Sequence, residues 1–357
     1  MAPYNKRITY FGIVKSISSW SKVAREMIKA LSKLGVETNI YERKGFLYEE
    51  AFDLGELSGK INNEFSGDLV FTFEHPKNYP RLPAGKRKMG FLVYEFTSLP
   101  GEWVENVNEY LDLVFVPSRF TAEVFLNSGV EKGKLRILRY GINPEYYRPS
   151  FVKNEKLTFL CVGSPQKREA ADLALESFAR AFPDKADVKL ILKLSYNTAG
   201  PKSFEISGFA GMLEKYSRKL GDRLEIVKKR LSEKEMGELY GKSDVYFSLS
   251  RAESFGLPFL EALACGKPSV CLDYSGQRDF LDGENAYFAP YGMAETSGEE
   301  YERTARKQYI ARPDTAGAAE ILKKVHAERG NLKRPVLKEG LEHYYWENIA
   351  REFLQMI

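Results

Sequence analysis

The chain has 357 residues, and its mass of 40.7 kDa is too large for one ordinary hydrophobic core but fits two domains. Hydrophobic residues make up 43% of it, which excludes a generally disordered chain. Lys and Arg number 53 against 49 Asp and Glu. The net charge of +4 gives no strong field over this length, which disfavours a nucleic-acid partner.

Cysteine and histidine are too scarce for a disulfide framework or a dedicated metal site. Cys161, Cys265 and Cys271 lie in apolar segments without CxxC spacing, and the three histidines are far apart in the sequence. Buried, reduced cysteines are typical of the cytosol, so a cytoplasmic location is expected. The first residues show no signal-peptide hydrophobic region, and no apolar run reaches membrane-spanning length, so at most peripheral membrane contact is expected.

The first half alternates strand-like apolar runs with amphipathic helix-length segments, which predicts an α/β fold with parallel sheets. Helices are predicted over Trp20–Leu34, followed by a left-handed cap at Gly35, and over Phe120–Leu126. Strands are predicted at Ile8–Ile13, Thr38–Tyr41, Leu69–Phe73, Met89–Tyr94, Leu113–Val116 and Leu135–Arg139.

A second α/β half follows residues 141–156, whose Pro, Asn and charged residues are typical of a linker. Its strands are predicted at Thr158–Val162, Val188–Leu194, Leu224–Val227, Val245–Leu249 and Ser269–Leu272. Its helices are predicted at Ala170–Phe182, Ser203–Lys219, Glu233–Lys242, Pro258–Ala264 and Thr315–Glu328. Residues 292–312 are predicted to be a polar loop with a short helix. Two such halves predict a cleft, with ligands bound outside the carboxyl ends of the strands.

The most informative segment is ESFGLPFLEALACGKPSV, residues 253–270, which follows a predicted strand and opens a helix. The amides and dipole at such a helix start favour an anion. Pro258 suits the first helical turn, and Gly256 allows a ligand to approach the backbone closely. Taken singly, Glu253 and Glu261 could be ordinary helix-dipole partners. Their combination with Phe-Gly-Leu-Pro and Gly-x-Pro points to a ligand site.

This segment resembles the donor-site signature of retaining glycosyltransferases of family 4, the group 1 transferases, which have the GT-B fold of two Rossmann-like domains. The signature holds two Glu residues with seven residues between them, among which are Phe-Gly, and Glu253 and Glu261 match it. The other matching residues are Phe255, Gly256, Leu257, Pro258, Ala262, Gly266 and Pro268.

The resemblance extends over roughly two-thirds of the chain, through residues 113–149, the strand SDVYFSLS and the closing segment LEHYYWENIA. It implies an acceptor-side domain over residues 1–146 and a nucleotide-sugar-binding domain over residues 147–338. It also implies a helix within residues 339–357 that crosses back onto the N-terminal domain.

The family pattern implies a role for each matching donor-site residue. Glu261 would accept hydrogen bonds from the ribose hydroxyls of a nucleotide-sugar, and Glu253 would hold hydroxyls of the donor sugar. The backbone amides of Phe255, Gly256 and Leu257 would contact the sugar or a phosphate.

The loop SPQKRE follows the strand that ends at Gly163, and it matches the family's loop that presents basic residues to the diphosphate. Lys167 and Arg168 are the candidate catalytic cations, and Lys193 on the next strand is a third candidate for donor binding. These side chains could instead form a solvated basic surface.

Two loops depart from the family pattern. The first loop has Glu169 where the family usually has Lys, so either Arg168 carries the diphosphate role alone or Lys167 substitutes. The N-terminal loop has the single Gly12 where many members have a Gly-Gly pair, and one of the serines after it is expected to cap the next helix.

Acceptor-side candidates lie in loops of the first half, where Gly12 ends the first predicted strand. Glu74 and His75 follow a later strand, and Glu95 and Thr97 follow the next. Glu95 stands in YEFTSLPGEW, which resembles a patch in one branch of the family. His75 could equally be an ordinary surface histidine.

The resemblance implies transfer of a hexosyl unit from a nucleotide-sugar to a hydroxyl of a glycan, lipid or small molecule, with retained anomeric configuration. No Asp-x-Asp motif is present, so basic side chains and helix-end amides are expected to stabilise the leaving diphosphate without a metal or other cofactor. The alternatives are a sugar-phosphate phosphorylase or synthase of the same fold, and a non-catalytic nucleotide-sugar-binding protein. A dinucleotide oxidoreductase is disfavoured because neither half has Gly-x-Gly-x-x-Gly after its first strand.

Overall fold

The computed structural model describes residues 6–45, 48–194, 206–296, 306–333, 335, 337 and 340–357. Its strands are β1 (Arg7–Gly12), β2 (Glu37–Glu42), β3 (Leu69–Thr72), β4 (Arg87–Phe91), β5 (Leu113–Val116), β6 (Leu135–Ile137), β7 (Leu157–Gly163), β8 (Val188–Leu194), β9 (Leu224–Val227), β10 (Val245–Phe247), β11 (Ser269–Leu272), β12 (Ala286–Ala289), β13 (Tyr291–Glu295) and β14 (Tyr309–Pro313). Its helices are α1 (Ser19–Lys33), α2 (Gly101–Tyr110), α3 (Arg119–Ser128), α4 (Ala171–Ala181), α5 (Phe209–Leu220), α6 (Glu233–Gly241), α7 (Leu257–Ala264), α8 (Thr315–Ala327) and α9 (Trp346–Met356).

The chain forms two compact units. The first contains residues 1–141, 304–306 and 342–357, and the second contains residues 142–303 and 307–341. The first is built on a parallel sheet of order β2-β1-β3-β4-β5-β6. The second is built on a parallel sheet of order β12-β11-β10-β7-β8-β9. The predicted α/β fold with parallel sheets is therefore confirmed.

Helix α1 shows how local sequence sets the boundaries of these elements. The Ser18 side chain accepts a hydrogen bond from the Ser21 amide at 3.3 Å and caps the helix start. Gly35 has a φ of +82° just beyond the helix end, as the sequence predicts. Ala24, Ile28 and Leu31 point into the core with no exposed surface.

The second sheet places its large apolar core on one face. Leu190, Leu192 and Leu194 of β8 belong to the core that also contains side chains from α4, α5 and α8. Successive side chains of a strand alternate between faces, so Lys193 lies on the opposite face from these leucines. Because the strands are parallel, β7, β8 and β10 end at the same edge of the sheet, and the candidate site lies there.

Several segments differ from the sequence prediction. The loop predicted for residues 292–312 is wrong where the structure describes it, because β13 and β14 pair antiparallel with Ile310 and Ala311 buried. Residues 297–305 lie outside the described residues, so the short helix predicted in this range stays a prediction. Helix α2 buries only Trp103 and Val107, so its sequence lacks the regular spacing of apolar residues that predicts a helix, and the sequence analysis did not predict it.

The helix predicted at Ser203–Lys219 corresponds to α5, which begins at Phe209. Residues 203–205 of the predicted range lie outside the described residues.

Helix α9 packs against the core of the first unit. The Phe353 ring has no exposed surface and lies 5.3 Å from the Phe115 ring, 5.5 Å from Phe91 and 6.1 Å from Phe71, measured between centroids. Trp346, at the start of the helix, covers Gly141, where a Cβ atom would lie 2.6 Å from the indole ring. The first unit is therefore completed by the C-terminal end of the chain.

Truncation of this aromatic side chain tests the packing of α9. Phe353→Ala is expected to lower the free energy of unfolding of the first unit by about 3–5 kcal/mol, because it removes a fully buried ring and leaves a cavity. Gln355→Ala, at an exposed position of the same helix, is expected to change it by less than about 0.5 kcal/mol. Urea denaturation of both variants measures the difference, and equal effects would contradict the packing.

Candidate active site

Glu253 lies in the loop between β10 and α7, and this loop is bonded to a second loop after β11. The Glu253 amide donates to Ser275 Oγ at 2.8 Å, and its carbonyl accepts from the Gly276 amide at 2.8 Å. A Cβ atom at Gly276 would lie 2.2 Å from the Ser254 carbonyl oxygen, so only glycine allows this approach. The Glu253 carboxylate accepts from Ser250 Oγ at 2.6 Å, which fixes its orientation.

The start of α7 depends on Gly256, whose φ of +88° is in the left-handed region. Pro258 occupies the first turn of the helix, as the sequence predicts. Phe255 is buried and its ring lies 5.2 Å from that of Phe280. Leu257 is the first helical residue. The first amides of the helix have no side-chain cap among the described residues.

Glu261 lies one turn into α7 and is only 5% exposed. Its Oε2 accepts a hydrogen bond from the Tyr240 hydroxyl at 2.9 Å. Tyr147 lies nearby and donates its hydroxyl to Glu233 at 2.8 Å. Burial, followed by the charge of Glu261, holds the pKa of both Tyr240 and Tyr147 well above the usual tyrosine range. Both hydroxyls are therefore protonated donors, and the carboxylate is oriented by at least Tyr240.

Arg168 connects the loop after β7 with the loop that contains Glu253. Its guanidinium donates to the Ala252 carbonyl at 2.8 Å and lies 3.3 Å from the Glu253 carboxylate. It also lies 3.2 Å from Glu169. Lys167, in the same loop, is half-buried. The structure thus brings the predicted residues Arg168 and Glu253 into contact.

Glu169 folds back over its own loop. Its second carboxylate oxygen accepts from the Ser164 amide at 2.6 Å. The carboxylate lies beside Gly163, at which a Cβ atom would be 3.4 Å from Glu169 Oε2. The next residue, Ala170, has a φ of +51°, a conformation that glycine adopts with less strain.

Lys193 is 5% exposed and stands near the carboxyl end of β8, where it pairs in register with Val162 of β7. Its ammonium group donates to the Leu194 carbonyl at 2.9 Å, and no carboxylate among the described residues pairs with it. Burial lowers the pKa of Lys193. Ser164, one residue beyond the end of β7, is 2% exposed, and its Oγ has no hydrogen-bond partner among the described residues.

Gly12 and His75 lie in the first unit. Gly12 is the last residue of β1, and His75 follows shortly after β3. A Cβ atom at Gly12 would lie 2.5 Å from the Tyr10 hydroxyl, so the position has no room for a side chain. His75 Nδ1 accepts from the Lys77 amide at 3.2 Å and begins a 3-10 turn. The His75 ring packs edge-on against Trp103 at 4.7 Å. His75 therefore has clear structural contacts, and its acceptor role stays a prediction.

Two carboxylates of the first unit have different surroundings. Glu74 is buried, accepts from Asn78 at 2.7 Å and lies 3.5 Å from Arg43. Burial raises the pKa of Glu74 above its usual value. Glu95 is half-buried, and its charge adds to burial in raising the pKa of Tyr140. The acceptor roles of these loops stay predictions.

Sequence analysis did not identify Tyr240, Tyr147, Ser164, Ser250 or Ser275 as site residues. Tyr240, Tyr147 and Ser275 reach the site through tertiary contacts that have no motif in the sequence. Ser164 and Ser250 reach it through local contacts that have no motif either. The partial signal for Tyr240 is its place on the buried face of α6.

Three further findings concern the cysteines, possible metal ligands and possible membrane-spanning helices. The cysteines are buried and unpaired, and burial raises the pKa of Cys161 to about 12. Within the described residues, no three His, Cys, Asp or Glu side chains are grouped so that they could hold a metal ion. Nor does that part of the chain contain a helix that is long and apolar enough to cross a membrane.

Comparison with known proteins agrees with this geometry. Residues 143–304 match the family model of the glycosyl transferases group 1. The chain is 23% identical over 286 residues to a probable sucrose-phosphate synthase of Thermosipho melanesiensis, which covers 78% of this chain and 57% of that protein. The chain thus spans little more than half the length of this curated relative.

Solved structures of two proteins are similar over almost the whole chain. The Anabaena protein HepE in complex with UDP and glucose has a TM-score of 0.66 at 12% identity, covering 99% of both chains. The sucrose-phosphate synthase from Thermosynechococcus elongatus has a TM-score of 0.69 at 17% identity, covering 99% of this chain and 98% of that one. Residues 143–304 are therefore similar to the group 1 glycosyltransferases, and the chain has the predicted GT-B fold.

The left-handed residue at the start of α7 generates a test of stability. Gly256→Ala is expected to lower the free energy of unfolding of the second unit by about 1–3 kcal/mol, because alanine is strained at a φ of +88°. Its Cβ atom would also lie 2.8 Å from the Phe259 ring.

Gly211→Ala is the matched control, since Gly211 is exposed within α5 and has open space around it. This substitution is expected to raise stability by about 0.5–1 kcal/mol. Thermal or urea unfolding measures both variants, and stabilisation by Gly256→Ala would show that the loop conformation is wrong.

Proposed function

We propose that the chain is a retaining glycosyltransferase that moves a hexosyl unit from a nucleotide-sugar to a hydroxyl acceptor without a metal. The observation that carries the proposal is the position of Glu253 and Glu261 around the start of α7, inside the segment matched by the group 1 family. The donor is proposed to carry UDP, because HepE was solved in complex with UDP and glucose.

Glu261 is proposed to bind the ribose of the donor. Its carboxylate is held by the Tyr240 hydroxyl, and a carboxylate can accept a pair of hydroxyl donors. Because Glu261 is 5% exposed, hydrogen bonds to it form in a low-dielectric environment where they are strong.

Glu253 is proposed to hold hydroxyls of the donor sugar near the reacting carbon. The contacts with Ser250 and Arg168 orient its carboxylate before the sugar arrives, which lowers the cost of binding in the reactive geometry. We propose a front-face route in which the leaving phosphate takes the proton of the acceptor hydroxyl, so Glu253 is a positioning group and not a covalent nucleophile.

Departure of the nucleoside diphosphate leaves negative charge on its oxygens. Three groups at the same sheet edge are proposed to stabilise that charge: Lys193, Arg168 and the first amides of α7, with Lys167 as an additional cation. Lys193 is suited to this task because its buried ammonium has no carboxylate partner among the described residues.

Two alternatives have an observation in their favour. The similarity to a probable sucrose-phosphate synthase over 78% of this chain supports a synthase that uses a sugar phosphate as acceptor. The carboxylate of Glu169 in the diphosphate loop supports a binding protein without activity.

An activity screen separates these functions. The protein is incubated with UDP-, GDP- and ADP-glucose, alone and with hexose 6-phosphates, and the released nucleoside diphosphate and the anomeric configuration of the product are measured. Hydrolysis or transfer with one donor, with retained configuration, supports the proposal. Transfer only in the presence of a hexose phosphate supports the synthase, and binding without turnover supports the non-catalytic alternative.

The roles of the two glutamates differ in a measurable way. Glu261→Gln is expected to weaken binding of the nucleoside diphosphate by about 1–2 kcal/mol, because a charged acceptor for ribose hydroxyls becomes neutral. Glu253→Gln is expected to lower kcat without weakening that binding. Calorimetry and steady-state kinetics measure both, with Glu214→Gln on the exposed face of α5 as the control. Equal losses of nucleoside diphosphate affinity in the two variants would contradict these roles.

Metal independence gives a second test of the proposal. Activity is expected to survive excess EDTA, because side chains and amides of the protein supply the positive charge at the diphosphate. The control is the same assay with EDTA already saturated by magnesium. Loss of activity in EDTA that is restored by magnesium or manganese would contradict the proposed charge stabilisation.

A further inference from the structure

The Glu169 carboxylate occupies the groups that a phosphate in this loop would use. One oxygen accepts from the Ser164 amide at 2.6 Å, and the other faces the Arg168 guanidinium at 3.2 Å. Backbone amides and arginine are also the common partners of phosphate oxygens. An internal anion therefore fills part of the candidate diphosphate site.

This loop and the neighbouring strand β8 contain donors that Glu169 does not satisfy. Ser164 Oγ is buried and has no partner among the described residues. The Lys193 ammonium has three N–H donors and bonds only to the Leu194 carbonyl within that part of the chain. Lys193 pairs in register with Val162, two residues before Ser164, so both lie at the same sheet edge. Buried polar groups without partners are costly, and an entering anion would satisfy them.

The charges in contact explain why the internal anion must move. Arg168 lies between the carboxylates of Glu169 and Glu253, at 3.2 and 3.3 Å. Arg168 therefore brings one positive charge into contact with two negative ones. A diphosphate would add at least two negative charges, so its approach to Ser164 and Arg168 is repelled while Glu169 remains there. Lys167 adds one further positive charge on the same loop.

We propose that the Glu169 carboxylate competes with the diphosphate of the donor for the same groups. When a diphosphate enters, the carboxylate moves away from Ser164 and Arg168, and the cost of this displacement sets the affinity for the donor. The carboxylate lowers the affinity of the loop for ligands with a diphosphate and leaves the affinity for ligands without one unchanged, since only a diphosphate has to displace it. The Glu253 contact of Arg168 is retained, so the sugar-binding carboxylate keeps its orientation. This inference rests on the proposed function of the site.

The test compares two ligands on matched variants. Glu169→Gln keeps an acceptor for the Ser164 amide but removes the charge. It is expected to bind the nucleoside diphosphate five- to tenfold more tightly than the wild type. The reason is that a neutral amide forms weaker hydrogen bonds with the Ser164 amide and Arg168 than a carboxylate does, so the diphosphate displaces it more easily. Affinity for the corresponding nucleoside is expected to stay unchanged. The probes are whichever of UDP, GDP or ADP the wild type binds most tightly, and its nucleoside, measured by calorimetry.

Two further variants keep the test decisive. Glu214→Gln, an exposed carboxylate of α5 that pairs with Arg218, has the same charge change and is expected to alter neither affinity. Lys193→Met replaces the buried ammonium by a side chain of similar length and is expected to weaken diphosphate binding more than tenfold with no effect on the nucleoside. This second result checks the anion site even if Glu169→Gln were poorly folded.

Several outcomes would overturn the inference. Unchanged diphosphate affinity in a folded Glu169→Gln variant, or an equal gain for the nucleoside, would show that Glu169 does not compete with the diphosphate. Unchanged diphosphate binding in Lys193→Met would place the anion elsewhere. Weaker binding in Glu169→Ala with no change in Glu169→Gln would make Glu169 a structural cap of its loop. Binding of no nucleoside diphosphate by the wild type would instead overturn the proposed function itself.

Discussion

The contact of Arg168 with two carboxylates is the interaction on which the rest of the site depends. It joins the loop after β7 to the loop before α7, which are 85 residues apart in sequence. The guanidinium is 17% exposed, so the pair is largely removed from water. Loss of one partner of such a pair is strongly destabilising, because the other charge remains buried without compensation. Arg168 and Ser250 therefore hold the Glu253 carboxylate together.

Two strained residues hold the same pair of loops. Ala170 and Ser275 have φ values of +51° and +70°, which cost roughly 1–3 kcal/mol each in a residue with a side chain. Ala170 directly precedes α4, and Ser275 bonds the Glu253 amide. Their strain is offset by the burial of Ala170 in the core and by the hydrogen bonds of Ser275. The parallel sheet beneath both loops supplies the rigid support for this arrangement.

Much of the fold follows from patterns that are local in sequence. The apolar run at Leu113–Val116 forms β5 with the predicted bounds. All four of its side chains are buried, as is typical of a strand in a parallel sheet that is covered on both faces. The pairing of β13 with β14 could not be predicted, because it depends on contacts across a polar segment. Helix α2 was missed because Glu and Asn dominate it and its buried stripe is short.

The sequence predicts the residues of the candidate site that belong to a motif. It does not predict the residues that reach the site only through contacts in the folded structure. Glu253 and Glu261 stand out because their spacing, with Phe-Gly between them, belongs to the family signature. The sequence identifies Glu169 as an unusual acid, but only the structure shows that its carboxylate bonds the Ser164 amide. Lys193 seemed a weaker candidate than Arg168. Its burial without a carboxylate partner among the described residues is the reason that we propose it as a diphosphate-binding cation beside Arg168.

The central claim is that the second unit binds the nucleotide part of the donor at the edge formed by β7, β8 and α7. Hydrogen–deuterium exchange of the wild-type protein, with and without saturating nucleoside diphosphate, tests this most directly. The account predicts slower exchange of amides in residues 163–170 and 254–262, with little change in the first unit. Slower exchange confined to residues 6–141, or none in either loop, would contradict it.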